Sequence, residues 1–407
     1  MLDTFTYELK KPYHFIKTAL LRALPAAIKY SFPAKKLKII AITGTDGKTT
    51  TTTLTYHILK AAGLKVALIS TVAAYIGDKQ IETGLHVTTP EPAQLQALMA
   101  DMVKKGVEYL VLEFTSHGAY QQRLFATQPF LTGLTNINHE HLDYHRTYTN
   151  YLEAKVSYLK QAETVILNRD DSSFFRVKKY LPSARHTILS YSKDDTLPKL
   201  ISDAVKQRFP EAYNHMNARL AITIAKQLEI DNQVIAQAIT DFPGVPGRME
   251  EVPNRRGLKI VVDFAHTPQA LEGALLSLRK QMLKDKSAGR LIAVFGCAGL
   301  RDRQKRPMMG KIAVDLADLA VFTAEDPRTE DIWSIIRQMK EQLTEGHNKI
   351  ISIADRQEAI SYVISTLAKR GDVIGIFGKG PEKSMCYGTT EIPWSDKKVV
   401  ETCLSST

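Results

Sequence analysis

The sequence predicts an α/β protein of two domains in series, a larger one on a mostly parallel sheet and a smaller, doubly wound one. Three observations predict it. From residue 38 onward short apolar runs alternate with helical stretches, the pattern of strands crossed over by helices on both sheet faces. The alternation breaks between 168 and 212 and resumes near 259. A chain of 407 residues with 44% hydrophobic and 24% charged content is long enough, and ordinary enough, for two or three buried cores.

The elements follow in order. Residues 1–37 form a segment of their own. Between Leu9 and Lys38 lie Lys10, Lys11, Lys17, Arg22, Lys29, Lys35, Lys36 and Lys38 with no acidic residue, interleaved with Phe15, Ile16, Leu20, Leu21, Leu24 and Ile28 near helical spacing. Pro25 is expected to interrupt that helix, and no signal-peptide cleavage pattern is present. Packing of this segment on the body is preferred over contact with a membrane surface.

Strands are expected at 38–43, 66–70, 109–113, 130–134 and 164–167, with helices at 49–62, 93–105 and 150–161. Residues 168–212 show no clear period. Helices follow at 214–228 and 232–240. The run Phe242-Pro243-Gly244-Val245-Pro246-Gly247 is dense in turn formers and reads as a hinge. Strands at 259–263, 291–295, 319–323, 349–353 and 373–377 then build the second domain. The organisation expected is 1–37, 38–241, the hinge 242–247, and 248–407.

Composition removes several classes of function. Cys297, Cys386 and Cys403 are too far apart for a disulfide framework or a zinc site, so a reducing cytoplasm is expected. No apolar run reaches the length of a membrane span. The net charge of +11 lacks the clustered aromatics or module of a nucleic-acid binder. It suits a field that gathers small polyanions, and equally plain solubility. A monomer is expected.

Residues 43–50 read Thr-Gly-Thr-Asp-Gly-Lys-Thr-Thr, between an expected strand and an expected helix. Gly44 and Gly47 allow the tight turn that aims amide N–H groups at phosphate oxygens, and the helix start adds its positive end. Lys48 suits β- and γ-phosphates, and Thr49 can place a hydroxyl on Mg²⁺. Two residues, rather than the usual four, separate the first glycine from Gly-Lys. The first domain is therefore read as a P-loop-type ATPase domain. Glu113 ends a strand, where ligands gather in open α/β sheets, and its oxygens suit a second Mg²⁺. Residues 138–145, Asn-His-Glu-His-Leu-Asp-Tyr-His, hold no cysteine and are not read as a zinc site. Lys155 reads as an ordinary exposed lysine.

Together these motifs resemble the Mur ligase family, in its UDP-N-acetylmuramoyl-tripeptide synthetase branch, from about Lys38 to Asp396. The phosphate loop resembles the family's Gly-Thr-Asn-Gly-Lys-Thr-Thr, with Asp46 in place of asparagine. On this resemblance Gly44, Thr45, Asp46, Gly47, Lys48, Thr49 and Thr50 bind ATP. Thr49, Glu113, His141 and Lys155 hold two Mg²⁺, with Lys155 carbamylated. Lys48, Lys155, His141 and Arg248 form the catalytic set. Thr88, Thr89, Thr115, Gln121 and Arg123 fall on positions that hold the nucleotide-sugar peptide. Asn214 falls on the adenine side, Arg248 on the linker residue that reaches the phosphates, and Asp263 near the ribose. Arg301, Asp326, Arg328, Gly378 and Glu382 fall on the amino-acid site. There an arginine fork suits a carboxylate and a glutamate suits an ammonium. Asp326 and Pro381 replace an asparagine and a histidine of the pattern.

The resemblance implies an ATP-dependent ligase with a smaller, Rossmann-like C-terminal domain. It would add a free amino acid, a diamino acid such as meso-diaminopimelate or lysine, to a muramyl-dipeptide-type acceptor through an acyl phosphate. Only about 37 residues precede the phosphate loop where the family carries a UDP-binding domain, which leaves the acceptor's nucleotide open. Two rivals are a folylpolyglutamate synthase-like ligase and a nucleotide-binding subunit without turnover.

Overall fold

A computed structural model of the chain describes residues 2–72, 74–77, 79–81, 88–138 and 140–405. It divides into two compact units, Met1–Pro243 and Gly244–Thr407. The first holds strands β1 Lys38–Thr43, β2 Val66–Ile69, β3 Ala74–Ile76, β4 Lys79–Ile81, β5 Tyr109–Glu113, β6 Pro129–Leu134, β7 Thr164–Asn168 and β8 Thr187–Tyr191. They form one sheet in the order β4-β3-β2-β5-β1-β6-β7-β8. Only the β2–β3 and β3–β4 pairs are antiparallel; the rest are parallel.

Strand β1 is buried beyond its first residue, as a strand covered on both faces must be. Ile39 and Ala41 pack with Leu110 and Leu112 of β5, Met99 and Met102 of the helix Pro92–Lys104, and Leu152 and Val156 of the helix Tyr148–Leu159. The register aligns Ile42 with Glu113, so β1 and β5 end level. Because β5 and β6 flank β1, strand order reverses there and a crevice opens at the carboxyl ends.

The second unit has β9 Glu250–Val252, β10 Lys259–Asp263, β11 Leu291–Phe295, β12 Leu319–Phe322, β13 Ile350–Ser352 and β14 Val373–Phe377. Their order is β13-β12-β11-β14-β10-β9, with β9 antiparallel. A separate hairpin joins β15 Ser384–Tyr387 to β16 Thr390–Pro393. Alternate residues serve two cores: Val261, Ala293 and Phe295 face one layer, while Ile260, Val262, Ile292 and Val294 face the other.

Three departures from the sequence reading have physical causes. The amino-terminal segment stays helical through Pro12 and Pro25: Leu2–His14, a π-helical stretch Phe15–Ala23, then Leu24–Lys29. The wider π register carries a bond from the Leu24 N–H to the Ala19 carbonyl, so Pro25 arrives where the α-helical ladder is already changing register. The segment 168–212 is structured, with helices Phe174–Lys178 and Lys199–Arg208 around β8. That strand is a half-exposed edge rich in Ser and Thr, so it lacks a buried strand's apolar run. The strands β3, β4, β9, β15 and β16 escaped because three or four residues are too few to show a period. Among the described residues no helix is long and apolar enough to cross a membrane.

Candidate active site

The loop after β1 turns into the helix Lys48–Ala61 through Gly47, whose φ is 79°. Glycine is required there twice over. The left-handed φ disfavours side chains, and a Cβ would stand 2.0 Å from Asn217 Oδ1. At Gly44 a Cβ would stand 1.7 Å from Thr135 Oγ1. The residues after β6 hold the loop's shape. Thr45 and Asp46 donate their N–H groups to Asn136 Oδ1 at 3.2 and 2.9 Å, and Thr135 Oγ1 donates to the Asp46 carbonyl at 2.6 Å. The N-cap residue, Gly47, offers no side chain to the first turn of the helix, where Lys48, Thr49 and Thr50 begin it, so that turn suits an anion. Lys48 Nζ donates to the Thr45 carbonyl at 2.6 Å.

Glu113 is fully buried at the end of β5. Its Oε1 accepts from Thr49 Oγ1 at 3.0 Å and from Thr71 Oγ1 at 2.9 Å, and Oε2 accepts from the Thr71 N–H at 2.9 Å. Thr71 Oγ1 also lies 3.0 Å from Thr88 Oγ1. Next to Thr88, Thr89 Oγ1 accepts from the Thr115 N–H at 3.1 Å, and its backbone carbonyl accepts from Arg123 at 3.0 Å. Arg123 donates to Gln121 Oε1 at 2.9 Å, and Gln121 to the Tyr144 hydroxyl at 3.0 Å. Thr115 caps the helix Ser116–Tyr120. Hydrogen bonds, with the Thr88–Thr89 peptide link, thus connect the phosphate loop to the five residues expected on the acceptor side.

Lys155 corrects the sequence reading: it is buried, not exposed. Its Nζ donates to the Gly44 carbonyl at 2.5 Å and lies 4.6 Å from the Tyr151 ring centre. Burial, reinforced by the Lys48 charge, pushes its pKa well below the usual lysine value by disfavouring the ammonium. His141 sits in a left-handed turn, φ 55°, with its ring 4.7 Å from that of His117. His139 lies outside the described residues. Asn214 is joined to the loop through Asn217, which donates to its Oδ1 at 2.9 Å and stands against Gly47.

In the second unit, Asp263 ends β10 and accepts the N–H groups of Met249 and Ala265 at 2.7 and 2.8 Å. In this structure its carboxylate ties the 247–249 loop to the strand end. The Arg248 guanidinium lies 4.4 Å from the Phe264 ring centre. Arg301 stands exposed after β11. Asp326, Arg328, Gly378 and Glu382 come together at the ends of β12 and β14 around a residue the sequence reading passed over, Lys379. Its fully buried ammonium bonds Asp326 Oδ1 at 2.8 Å and pairs with Glu382. Burial works against the charge, but Glu382 and Asp326 outweigh it and raise the Lys379 pKa. Asp326 is likewise held below the usual carboxylate range, Lys379 overcoming the cost of burial. Arg328 donates to the Gly299 carbonyl at 2.7 Å.

The Mur ligase middle domain matches residues 42–239, and the Mur ligase glutamate ligase domain matches residues 247–380. The chain belongs to the Mur ligase family. Its relatives include the UDP-N-acetylmuramoyl-L-alanyl-D-glutamate–2,6-diaminopimelate ligases of Clostridium botulinum and Clostridium tetani. They are 37% and 35% identical over 93% and 97% of this chain, and 80% and 84% of theirs. A solved structure of a ligase with that name is similar at a TM-score of 0.57 and 30% identity, over 91% of this chain and 78% of that one. A bifunctional folylpolyglutamate synthase from Yersinia pestis reaches a TM-score of 0.68 at 17% identity, over 88% and 90%. That likeness shows the shared fold alone. As a Mur ligase the chain is an ATP-dependent amide-forming enzyme that uses Mg²⁺.

Thr71, Asn136, Asn217 and Lys379 escaped sequence reasoning. Thr71 and Asn136 each lie just past a strand's carboxyl end, a positional signal that was available. Lys379 stands inside a Gly-Lys-Gly turn beside residues already singled out.

Proposed function

We propose that this Mur ligase joins 2,6-diaminopimelate to UDP-N-acetylmuramoyl-L-alanyl-D-glutamate in peptidoglycan precursor synthesis. The observation that carries the reading is the hydrogen-bonded path from Thr49 through Glu113 and Thr71 to Thr88, then on through Thr89 to Arg123. It runs from a phosphate cradle to a cluster able to orient a carboxylate. The names of the relatives supply the substrates. Arg328 and Glu382 offer the cation and anion that a free carboxylate and ammonium on the incoming amine require.

The acceptor carboxylate attacks the γ-phosphorus of ATP; the bond to the β,γ-bridging oxygen breaks, ADP leaves and an acyl phosphate forms. The amine nitrogen then attacks the acyl carbon, phosphate leaves, and the amide nitrogen gives up a proton. Charge spreads over phosphoryl oxygens in the first step, so positioned cations and amides supply most of the acceleration. Lys48 and the first-turn amides of residues 48–50 serve that role.

Two Mg²⁺ would be held by residues of the same site. Thr49 and Glu113 are oxygen donors in contact, and His141 joins them in the family's pattern. Lys155 completes the set as a carbamate. Carbamate formation needs a neutral amine to attack CO₂ and then lose a proton, and burial favours that form of Lys155. Bound Mg²⁺ supplies charge neutralisation of the phosphates.

The test is mass spectrometry of products from acceptors crossed with diaminopimelate, lysine and glutamate, with ATP and Mg²⁺. A diaminopimelate adduct of the UDP-muramyl dipeptide is expected. Product formed only from a folate and glutamate, or none from any pair, would overturn the reading.

A further inference from the structure

The amino-terminal helix has two unlike faces. Tyr7, Thr18, Ala19, Ala23, Ala26 and Ala27 are buried. Tyr7 stacks on Tyr120 with ring centres 4.4 Å apart, and its hydroxyl lies 2.7 Å from His145 Nδ1. This packing face is mostly alanine, so the larger apolar side chains remain outside. Tyr13, Phe15, Ile16, Leu20, Leu21 and Ile28 are 38% to 68% exposed. Single exposed apolar residues are ordinary, but six within sixteen positions make a patch that needs a reason.

Charge narrows the occupant. Lys10, Lys11, Lys17, Arg22, Lys29, Lys35 and Lys36 are all exposed on the same segment. Glu8 pairs with Lys11 at 2.8 Å and Glu91 with Arg22 at 3.6 Å. Among the described residues no carboxylate forms an ion pair with Lys10, Lys17, Lys29, Lys35 or Lys36. A second copy of this face would set these like charges against one another. An anionic bilayer offers both complements, acyl carbon for the apolar row and phosphates for the lysines. The helix is too polar to cross the bilayer, so it would lie in the interface.

We propose that the outer face of residues 13–28 docks on an anionic phospholipid surface. Each exposed lysine near the headgroups adds attraction, weakened by salt. The helix rests on Tyr120, adjacent in sequence to Gln121, so docking brings the acceptor-side cluster close to the bilayer. Reading this face as membrane-binding does not depend on which acceptor or amine the enzyme uses.

The experiment is co-sedimentation of the full chain with phosphatidylglycerol–phosphatidylcholine vesicles, against phosphatidylcholine alone, at low and high salt. Binding to the anionic vesicles alone, falling with salt, is expected. The pair Ile16→Asp with Leu21→Asp should lower the bound-to-free ratio roughly tenfold or more, and Lys17→Glu with Lys29→Glu should lower it and flatten its salt dependence. Circular dichroism and ATP turnover with soluble substrates should stay at parent levels in both. The charge-reversed pair, changed only at exposed positions, keeps the test readable if the first pair folds poorly. Absence of sedimentation, equal sedimentation of parent and variants, or a dimer abolished by the Asp pair without vesicle binding would overturn the proposal.

Discussion

Two buried lysines, one in each unit, meet opposite electrostatic fates. Lys155 points at a backbone carbonyl with another lysine nearby, and its pKa falls. Lys379 sits between Asp326 and Glu382, and its pKa rises. Burial alone disfavours both ammonium groups; the difference lies in the carboxylates within bonding distance. The first unit favours the neutral, nucleophilic form of its amine. The second uses its lysine as a fixed cation that holds two acids in place. Similar depth in the fold therefore serves reactivity in one unit and rigidity in the other.

The largest expected effect comes from removing the fixed cation. Lys379→Met leaves Asp326 buried without its partner, which costs about 3–5 kcal/mol. Urea denaturation followed by tryptophan fluorescence measures it. Adding Asp326→Asn should recover much of the loss, because the stranded charge is then gone. If the single variant is as stable as the parent, the ion pair does not organise the site and the contrast with Lys155 fails.

Lys155→Ala should leave the fold standing, since the pocket loses a bond to the Gly44 carbonyl rather than an ion pair. Turnover should fall about 10²–10³-fold, the scale for removing one group that organises transition-state charge. Added short carboxylates or bicarbonate should restore part of the rate if a carbamate is the working form. An unchanged kcat would remove Lys155 from the chemistry.

The sequence made the strands around the candidate sites legible because both faces are buried and read as apolar runs; β1, β5, β10, β11 and β14 fall on the expected residues. Gly44 and Gly47 were legible because a phosphate loop demands a tight turn. Lys155 was not, since a single lysine on a helix carries no mark of its depth. The acidic partners that fix Lys379 lie 53 residues before it and three after, and only the fold joins the distant one. Edge strands such as β8 fail for the reverse reason, being too polar to announce themselves.

The units should also differ under acid. Glu330 bonds Arg306 at 2.8 and 2.9 Å and accepts the Leu300 N–H at 2.9 Å. The Arg306 hydrogen bonds hold its carboxyl down to about 2 from a usual 4.5. Below 4.5 the unfolded chain binds a proton that the folded chain refuses, so stability falls as pH drops toward 2. The contribution present above that window is on the order of 2 kcal/mol. Glu330→Gln should therefore lower stability at neutral pH and flatten its acid limb, checked by denaturation at stepped pH. A variant whose acid limb matches the parent would remove this pair from the account.

The smallest effect sharpens the first unit's side. Thr115 accepts the Gly118 N–H at 3.0 Å as the cap of a five-residue helix, and its hydroxyl lies 3.2 Å from Thr89 Oγ1. Thr115→Ala removes the cap at a cost of about 1 kcal/mol. Thr115→Ser, which keeps the oxygen, should cost only a few tenths. Should both lose acceptor affinity alike, the methyl group is the contact. Loss confined to alanine assigns the work to the oxygen, because the same atom that anchors the helix start then also faces the acceptor side of a site whose buried lysine lies at its other end.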